Sequence, residues 1–303
     1  MIRHLALVGT TASGKSAVAL EIARRLPGVE LVSVDAMQVY RGMDIGTAKP
    51  TPAERAEVRH HLIDVADPAD DFTVARFQQL CRAALADIEA RSRRALLVGG
   101  TGLYLRAVVD DLAIPGRYPA VRADLEAEAD TASLHRRLAE LDPVAASRME
   151  PANRRRVVRA LEVTLGAGVP FSSFGPGLEA YPPTRHLVVG LRMPAAVVAA
   201  RIEQRYQAQL AAGFVDEVRA LAERPEGLSR TARQALGYKE ILAHLAGELS
   251  LDEAVDLAVR RTRRFARRQR VWFRRDPRIH WVDVGDEPVA AVPDLLRHWS
   301  ECS

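Results

Sequence analysis

The eight residues Gly9-Thr10-Thr11-Ala12-Ser13-Gly14-Lys15-Ser16 constrain this chain more than any other feature, because they fit the phosphate-binding loop G-x-x-x-x-G-K-[ST]. The motif requires a strand before it and a helix after it, and both are predicted here. Residues 5–8 are an unbroken apolar run. Val18, Ala19, Ile22, Ala23 and Leu26 then recur at helical spacing until Pro27-Gly28 ends the pattern. In that setting the glycines let backbone N–H groups face a phosphate and the helix N-terminus adds positive potential. Lys15 pairs with the oxygens, and Ser16 can hold magnesium.

Further apolar runs at residues 31–34, 62–65 and 95–98 alternate with helical periodicity, which predicts βαβ units and a mostly parallel sheet. The strands are apolar throughout, so both sheet faces are expected to be covered by helices. From about residue 112 the pattern changes. Pro115, Gly116 and Pro119 mark a break, and helices are expected over residues 121–129 and 134–141, with a third capped by Asn153 and ended by Gly166. Residues 171–183 read as loop, and 186–191 as a strand that returns the chain to the sheet. Beyond it, Pro194 opens a helix ending near Gly213, and Ser250 with Glu253 forms a capping box for a long helix toward Arg275. The predicted fold is therefore α/β: a P-loop NTPase-like core over residues 1–112, a helical insertion over 113–184, and core completion with a basic helical C-terminal region over 185–303.

Charge is unevenly spread. The chain carries a net +4, yet the stretch from Arg260 to Arg278 holds ten arginines against the single acid Asp276, leaving the remainder acidic. Phe265, Trp272 and Phe273 lie among these arginines. A basic run of this density with aromatics predicts a docking surface for nucleic acid rather than an ordinary solvated helix face. No apolar run approaches the roughly 18 residues a membrane span needs, and residues 1–5 enter the first strand directly, which reads as a cytoplasmic chain without a secretory signal. Cys81 and Cys302 are read as plain thiols. His60 and His61 are adjacent on a predicted strand, where neighbouring side chains point to opposite faces, so a metal pair is not expected.

The strand ending Leu96-Leu97-Val98-Gly99-Gly100 lacks the acid that an ATPase places there, whereas the strand after the P-loop helix ends Ser33-Val34-Asp35. An acid at the C-terminal end of a parallel strand points into the ligand crevice. Position alone leaves Asp35 open as a metal-orienting group, a general base or a helix cap.

Together with the P-loop, the blocks at residues 35–40 (DAMQVY), 42–50 (GMDIGTAKP), 60–64 (HHLID), 99–104 (GGTGLY), 201–205 (RIEQR), 237–240 (GYKE) and 268–274 (RQRVWFR) resemble, in order and over essentially the whole chain, the tRNA dimethylallyltransferase (tRNA isopentenyltransferase) family. The resemblance implies a monomeric enzyme that binds dimethylallyl diphosphate with Mg²⁺ on the P-loop. It would alkylate the exocyclic amine of the adenosine just 3′ of the anticodon, in the anticodon stem-loop. It implies Asp35 as general base, and Thr101 and Arg205 as contacts to the diphosphate or reacting centre. It also implies tRNA contacts from Asp35, Ala36, Met37, Gln38 and Thr101, from Arg122, Arg155, Arg156 and Arg159 in the insertion, and from Gln234, Lys239, Arg267, Arg268 and Arg274. Two departures stand out: Thr10 replaces a common proline, and Ala36 a common serine. Two other readings compete. One is a P-loop small-molecule or nucleotide kinase, and the other a non-catalytic RNA-binding protein, against which the intact Lys15, Ser16 and Asp35 argue.

Overall fold

A computed structural model describes residues 4–301; Cys302 lies outside them. The chain divides into two compact units, one spanning Asp111–Pro182 and the other formed by the chain on either side of it.

The larger unit begins with β1 (Leu5–Gly9), α1 (Lys15–Arg25), β2 (Val29–Val34), α2 (Pro52–Glu57), β3 (His60–His61), α3 (Val74–Ala90), β4 (Arg94–Gly99) and α4 (Gly102–Val109). Within the smaller unit lie α5 (Pro119–Ala127), α6 (Thr131–Leu141), α7 (Pro143–Ser147) and α8 (Arg154–Ala167). The larger unit resumes with β5 (Leu187–Arg192), α9 (Ala195–Ala211), α10 (Phe214–Ala222), α11 (Arg230–Arg233), α12 (Tyr238–Leu245), α13 (Leu251–Arg274), β6 (His280–Asp283) and α14 (Val292–Glu301).

The six strands form one sheet in the order β3-β2-β4-β1-β5-β6, and every described strand pair is parallel. Leu5, Leu7, Val32, Leu96 and Leu97 are wholly buried, as continuous apolar strands between two helical layers must be. Each such side chain contributes about 1.5–3 kcal/mol by leaving water. This order sets the ends of β2, β4 and β1 side by side, so Asp35, Thr101 and the P-loop emerge from three neighbouring strands.

Three local expectations need correction. The strand expected over residues 62–65 is instead the two-residue β3, because Leu62 and Asp64 take positive φ (63° and 58°) and turn the chain away from the sheet. β6 was not expected at all; it is a short, half-exposed edge strand. In the insertion, α8 runs past Gly166 and ends at Gly168, which takes the left-handed conformation (φ 71°). Gly166 is glycine for a different reason: a side chain there would collide with the Tyr118 ring.

The insertion has its own apolar core of Leu134, Leu138, Val157, Val158 and Leu161. Beside that core lies Glu162, a buried carboxylate that accepts from Tyr118 N at 2.9 Å, Arg159 Nη1 at 2.9 Å and Arg122 Nη1 at 3.2 Å. Arg122 also reaches Glu126 at 2.7 Å, and Arg159 Nη2 donates to Pro115 O at 2.8 Å. The four insertion arginines expected to contact tRNA differ in their surroundings. The exposed arginines of α8 are Arg155 and Arg156, while Arg122 and Arg159 are braced against Glu162. Removing one partner of a buried hydrogen-bonded group typically costs about 1–3 kcal/mol. Glu162→Gln, which leaves two partly exposed arginines without their carboxylate, should therefore destabilise the insertion by an amount of that order, and hydrogen exchange should speed up at α5 and α8 amides while β1 and β4 amides keep their protection.

Candidate active site

The P-loop leaves β1 and closes on α1 through Gly14, whose left-handed φ of 82° turns the backbone into the helix without the penalty a side chain would add. No acidic residue occupies the first turn of α1, so its N-terminal potential stays available to an anion. Lys15 Nζ donates to Thr10 O at 2.5 Å, folding back over the loop. Arg205 reaches in from α9, its Nη1 donating to Thr11 Oγ1 at 2.8 Å. Ser13 Oγ and Arg205 Nε are buried with no hydrogen-bond partner among the described residues. Buried polar groups left unpaired are costly. Their position at the phosphate-binding loop points to an anionic ligand that would satisfy them.

Burial lowers the Lys15 pKa to about 8, with Asp35 pulling it up and Arg205 pushing it further down. Burial likewise holds Arg205 below its usual value, against the attraction of Tyr206 and Asp35. Asp35, Lys15 and Arg205 thus share one electrostatic environment, although 170 positions separate the first from the last. Asp35 Oδ1 accepts from Met37 N at 2.8 Å and Gln38 N at 3.3 Å, which fixes the carboxylate at the mouth of β2. Thr101, at the end of β4, accepts from Ala36 N at 3.2 Å through Oγ1. That link uses the Ala36 backbone, so a serine at position 36 is not needed for it.

The structure also shows bracing contacts around Asp35 that sequence reasoning did not anticipate. Gln38 braces the loop beyond Asp35: its Oε1 accepts from Ser33 Oγ at 2.8 Å, and its Nε2 donates to Thr47 O and Ala48 O, each at 3.2 Å. Glu217 accepts from the amides of Asp44, Ile45 and Gly46 and from Tyr238 Oη at 2.6 Å, holding the same loop. The histidines have protein partners: His61 Nε2 lies 2.7 Å from Glu30, and His60 Nδ1 lies 2.6 Å from Val58 O. A depression of about 290 Å³ opens beside Gly9 and Thr10 and is lined by Arg270, Phe273, Arg274 and Trp281.

On α13, Arg261 pairs with Glu240 and Arg263 with Glu203, and beyond the helix Arg278 pairs with Asp276 and Asp110. Arg260, Arg264, Arg267, Arg268, Arg270, Arg274 and Arg275 have no carboxylate partner among the described residues. All but the half-buried Arg270 are exposed. Gln234 and Lys239 are exposed on the α11–α12 turn. Among the described residues no cluster of three His, Cys, Asp or Glu side chains could hold a metal, and no helix is long and apolar enough to cross a membrane.

A parallel sheet with a P-loop after β1, no ATPase acid at the end of the adjacent β4, and a carboxylate at the end of β2 one strand further on defines a P-loop transferase with an anion cradle. A family model described as IPP transferase matches residues 38–276. A tRNA dimethylallyltransferase of Kineococcus radiotolerans is 51% identical over 97% of this chain and 94% of its own, and one of Desulforudis audaxviator is 47% identical over 96% and 95%. Among solved structures, the tRNA isopentenylpyrophosphate transferase of Bacillus halodurans superposes with a TM-score of 0.72 at 37% identity, covering 100% of this chain and 98% of its own. A eukaryotic dimethylallyltransferase acting on tRNA gives 0.82 at 25% identity, covering 98% and 78%. The chain belongs to the IPP transferase family, whose members named here are tRNA dimethylallyltransferases.

The lowered Lys15 pKa gives the cradle a pH signature. Bound diphosphate favours the charged ammonium. Below pH 8 Lys15 is already protonated and affinity should be flat, whereas above pH 8 it must take up a proton and affinity should fall by up to about tenfold per pH unit. Titrating dimethylallyl diphosphate calorimetrically from pH 7 to 9.5 checks this, since a phosphate's own last proton is lost near pH 6. A flat profile would show that Lys15 does not titrate in the cradle.

Proposed function

We propose that the protein transfers a dimethylallyl group from dimethylallyl diphosphate to the N6 amine of the adenosine 3′-adjacent to the anticodon of tRNA. It would do so as a cytoplasmic monomer. The observation that carries this reading is the cradle in which Ser13 Oγ and Arg205 Nε lack hydrogen-bond partners among the described residues and Lys15 shares the electrostatic environment of the Asp35 carboxylate. A diphosphate meets the first group, and a proton donor the second.

In the reaction the C1–O bond of the allylic diphosphate breaks, its electron pair leaves with the diphosphate, and the adenine N6 lone pair forms the new C–N bond. Negative charge grows on the departing oxygen, where Lys15, Arg205 and the α1 N-terminus are already oriented. Such preorganised donors are each worth about 10²–10³ in rate. The amine's lone pair is delocalised into the ring, so a carboxylate that accepts its proton as the bond forms assists attack. Asp35 takes that proton. Thr101 ties the base-bearing turn to the β4 end through Ala36 N. A stacked loop adenine must be extruded to reach such a pocket.

Magnesium fits the residues present in one form only. With no cluster of three acidic, His or Cys groups among the described residues, the cation would be held by the exposed Ser16 hydroxyl and the diphosphate's own oxygens, and would neutralise charge on the leaving group. The exposed arginines of α13 supply a track for tRNA phosphates, joined by Gln234 and Lys239, and in the insertion by Arg155 and Arg156.

Incubation with dimethylallyl diphosphate and unmodified tRNA, followed by mass analysis of the nucleosides, tests the reading: an adenosine heavier by one dimethylallyl group supports it. Consumption of ATP with transfer of its phosphate would replace it with the kinase. The RNA face has a separate signature. Neutralising Arg267, Arg268 and Arg274 together should lower the slope of log affinity for tRNA against log salt by about 0.7–0.9 per lost contact, with diphosphate affinity little changed. An unchanged slope would take α13 out of the interface.

A further inference from the structure

The P-loop is held from outside by one side chain that the reaction scheme does not use. Gln269 lies buried on α13, and its carboxamide bridges two of the loops that build the site. Oε1 accepts from Thr11 N at 2.7 Å, and Nε2 donates to Gly100 O at 2.9 Å. These bonds span 258 and 169 positions, and they join the ends of β1 and β4, which are neighbours in the sheet.

The surroundings are shaped for this carboxamide. A side chain at Gly100 would collide with the Gln269 amide, so glycine at that position makes room for it. Thr11 is gripped twice, by Gln269 at its amide and by Arg205 at its hydroxyl. The two helices that supply these groups are themselves joined by a buried hydrogen bond of 2.9 Å between Tyr206 Oη on α9 and Thr262 Oγ1 on α13. Helix α13 therefore carries unpaired arginines on its exposed face and, on its buried face, the group that sets the position of the P-loop. Arg268 and Arg270 flank Gln269 directly and Trp272 lies three residues beyond it, so displacement of the exposed face is carried to the Gln269–Thr11 hydrogen bond.

We propose that Gln269 is a positioning residue that couples the two substrates. RNA docked on α13 restrains the helix, and Gln269 transmits that restraint to Thr11 and Gly100. The diphosphate then meets a cradle whose ordering cost has already been met. By linkage the effect is reciprocal, and couplings of this kind commonly amount to 5–150-fold in affinity. The proposal rests on α13 as the RNA face.

The test is calorimetric titration of inorganic diphosphate with magnesium into the full-length protein, alone and saturated with unmodified tRNA. In the unmodified protein, tRNA should tighten diphosphate binding at least fivefold. Gln269→Leu keeps the volume and removes both hydrogen bonds. It should bind tRNA within about twofold of the original protein and with the same salt slope, yet show a tRNA-induced change in diphosphate affinity below twofold. Gly100→Ala displaces the same carboxamide from the other side and should lose the coupling as well, which keeps the test decisive if one variant folds poorly. Coupling preserved in Gln269→Leu, or absent from the unmodified protein, would overturn the proposal. Loss of tRNA affinity in parallel with the coupling would overturn it too, by making Gln269 part of the RNA contact itself. The salt slope of the arginine variant reports on the α13 face and the coupling ratio on Gln269, so the two readings fail separately.

Discussion

Two partly buried cations set against one carboxylate govern this site. Desolvation lowers the pKa of both Lys15 and Arg205, and the acid that offsets them electrostatically is Asp35, leaving a local excess of positive charge. Such an arrangement is costly until an anion enters. On the proposed function a diphosphate would remove that cost and leave Asp35 to act on a second group. The fold serves this electrostatic requirement: three adjacent parallel strands deliver the P-loop, Asp35 and Thr101 to one edge, and α9 brings Arg205 across to them.

Stiffness around the site comes from side chains that do no chemistry. Glu217 gathers three consecutive amides of the loop after Asp35, Gln38 braces that loop from within, and Gln269 holds the P-loop to the end of β4. Each satisfies backbone groups that an irregular loop would otherwise leave unpaired. The active site is thus a set of loops made rigid by carboxylates and carboxamides from distant helices, which suits a reaction that depends on preorganised charge.

What the sequence made legible follows from how local each signal is. The P-loop, the α1 periodicity and the acid ending β2 are written in contiguous residues, and the parallel sheet follows from apolar runs alternating with helices. The capping box at Ser250 is equally local, and it marked the start of α13 correctly. Signals that depend on a partner far along the chain were not readable. Gln269 looks like one polar residue in an arginine run until Thr11 and Gly100 are seen beside it. Gly166 looks like a helix stop until Tyr118 occupies the space above it. β3 was overread because an apolar run says nothing about positive φ at Leu62, and β6 was missed because four residues at a sheet edge carry too little pattern.

The central claim is that Asp35 accepts the proton of the attacking amine while the P-loop side holds the diphosphate. Asp35→Asn preserves the shape and a coordinating carbonyl but removes the base. Single-turnover rates measured across a magnesium titration are the most direct test. The account predicts that this variant binds dimethylallyl diphosphate and tRNA nearly as well as the unmodified protein but loses about 10²–10⁴ in the chemical step, at every magnesium concentration. Partial recovery of the rate at high magnesium, together with weakened diphosphate binding, would contradict it and make Asp35 a holder of the metal instead.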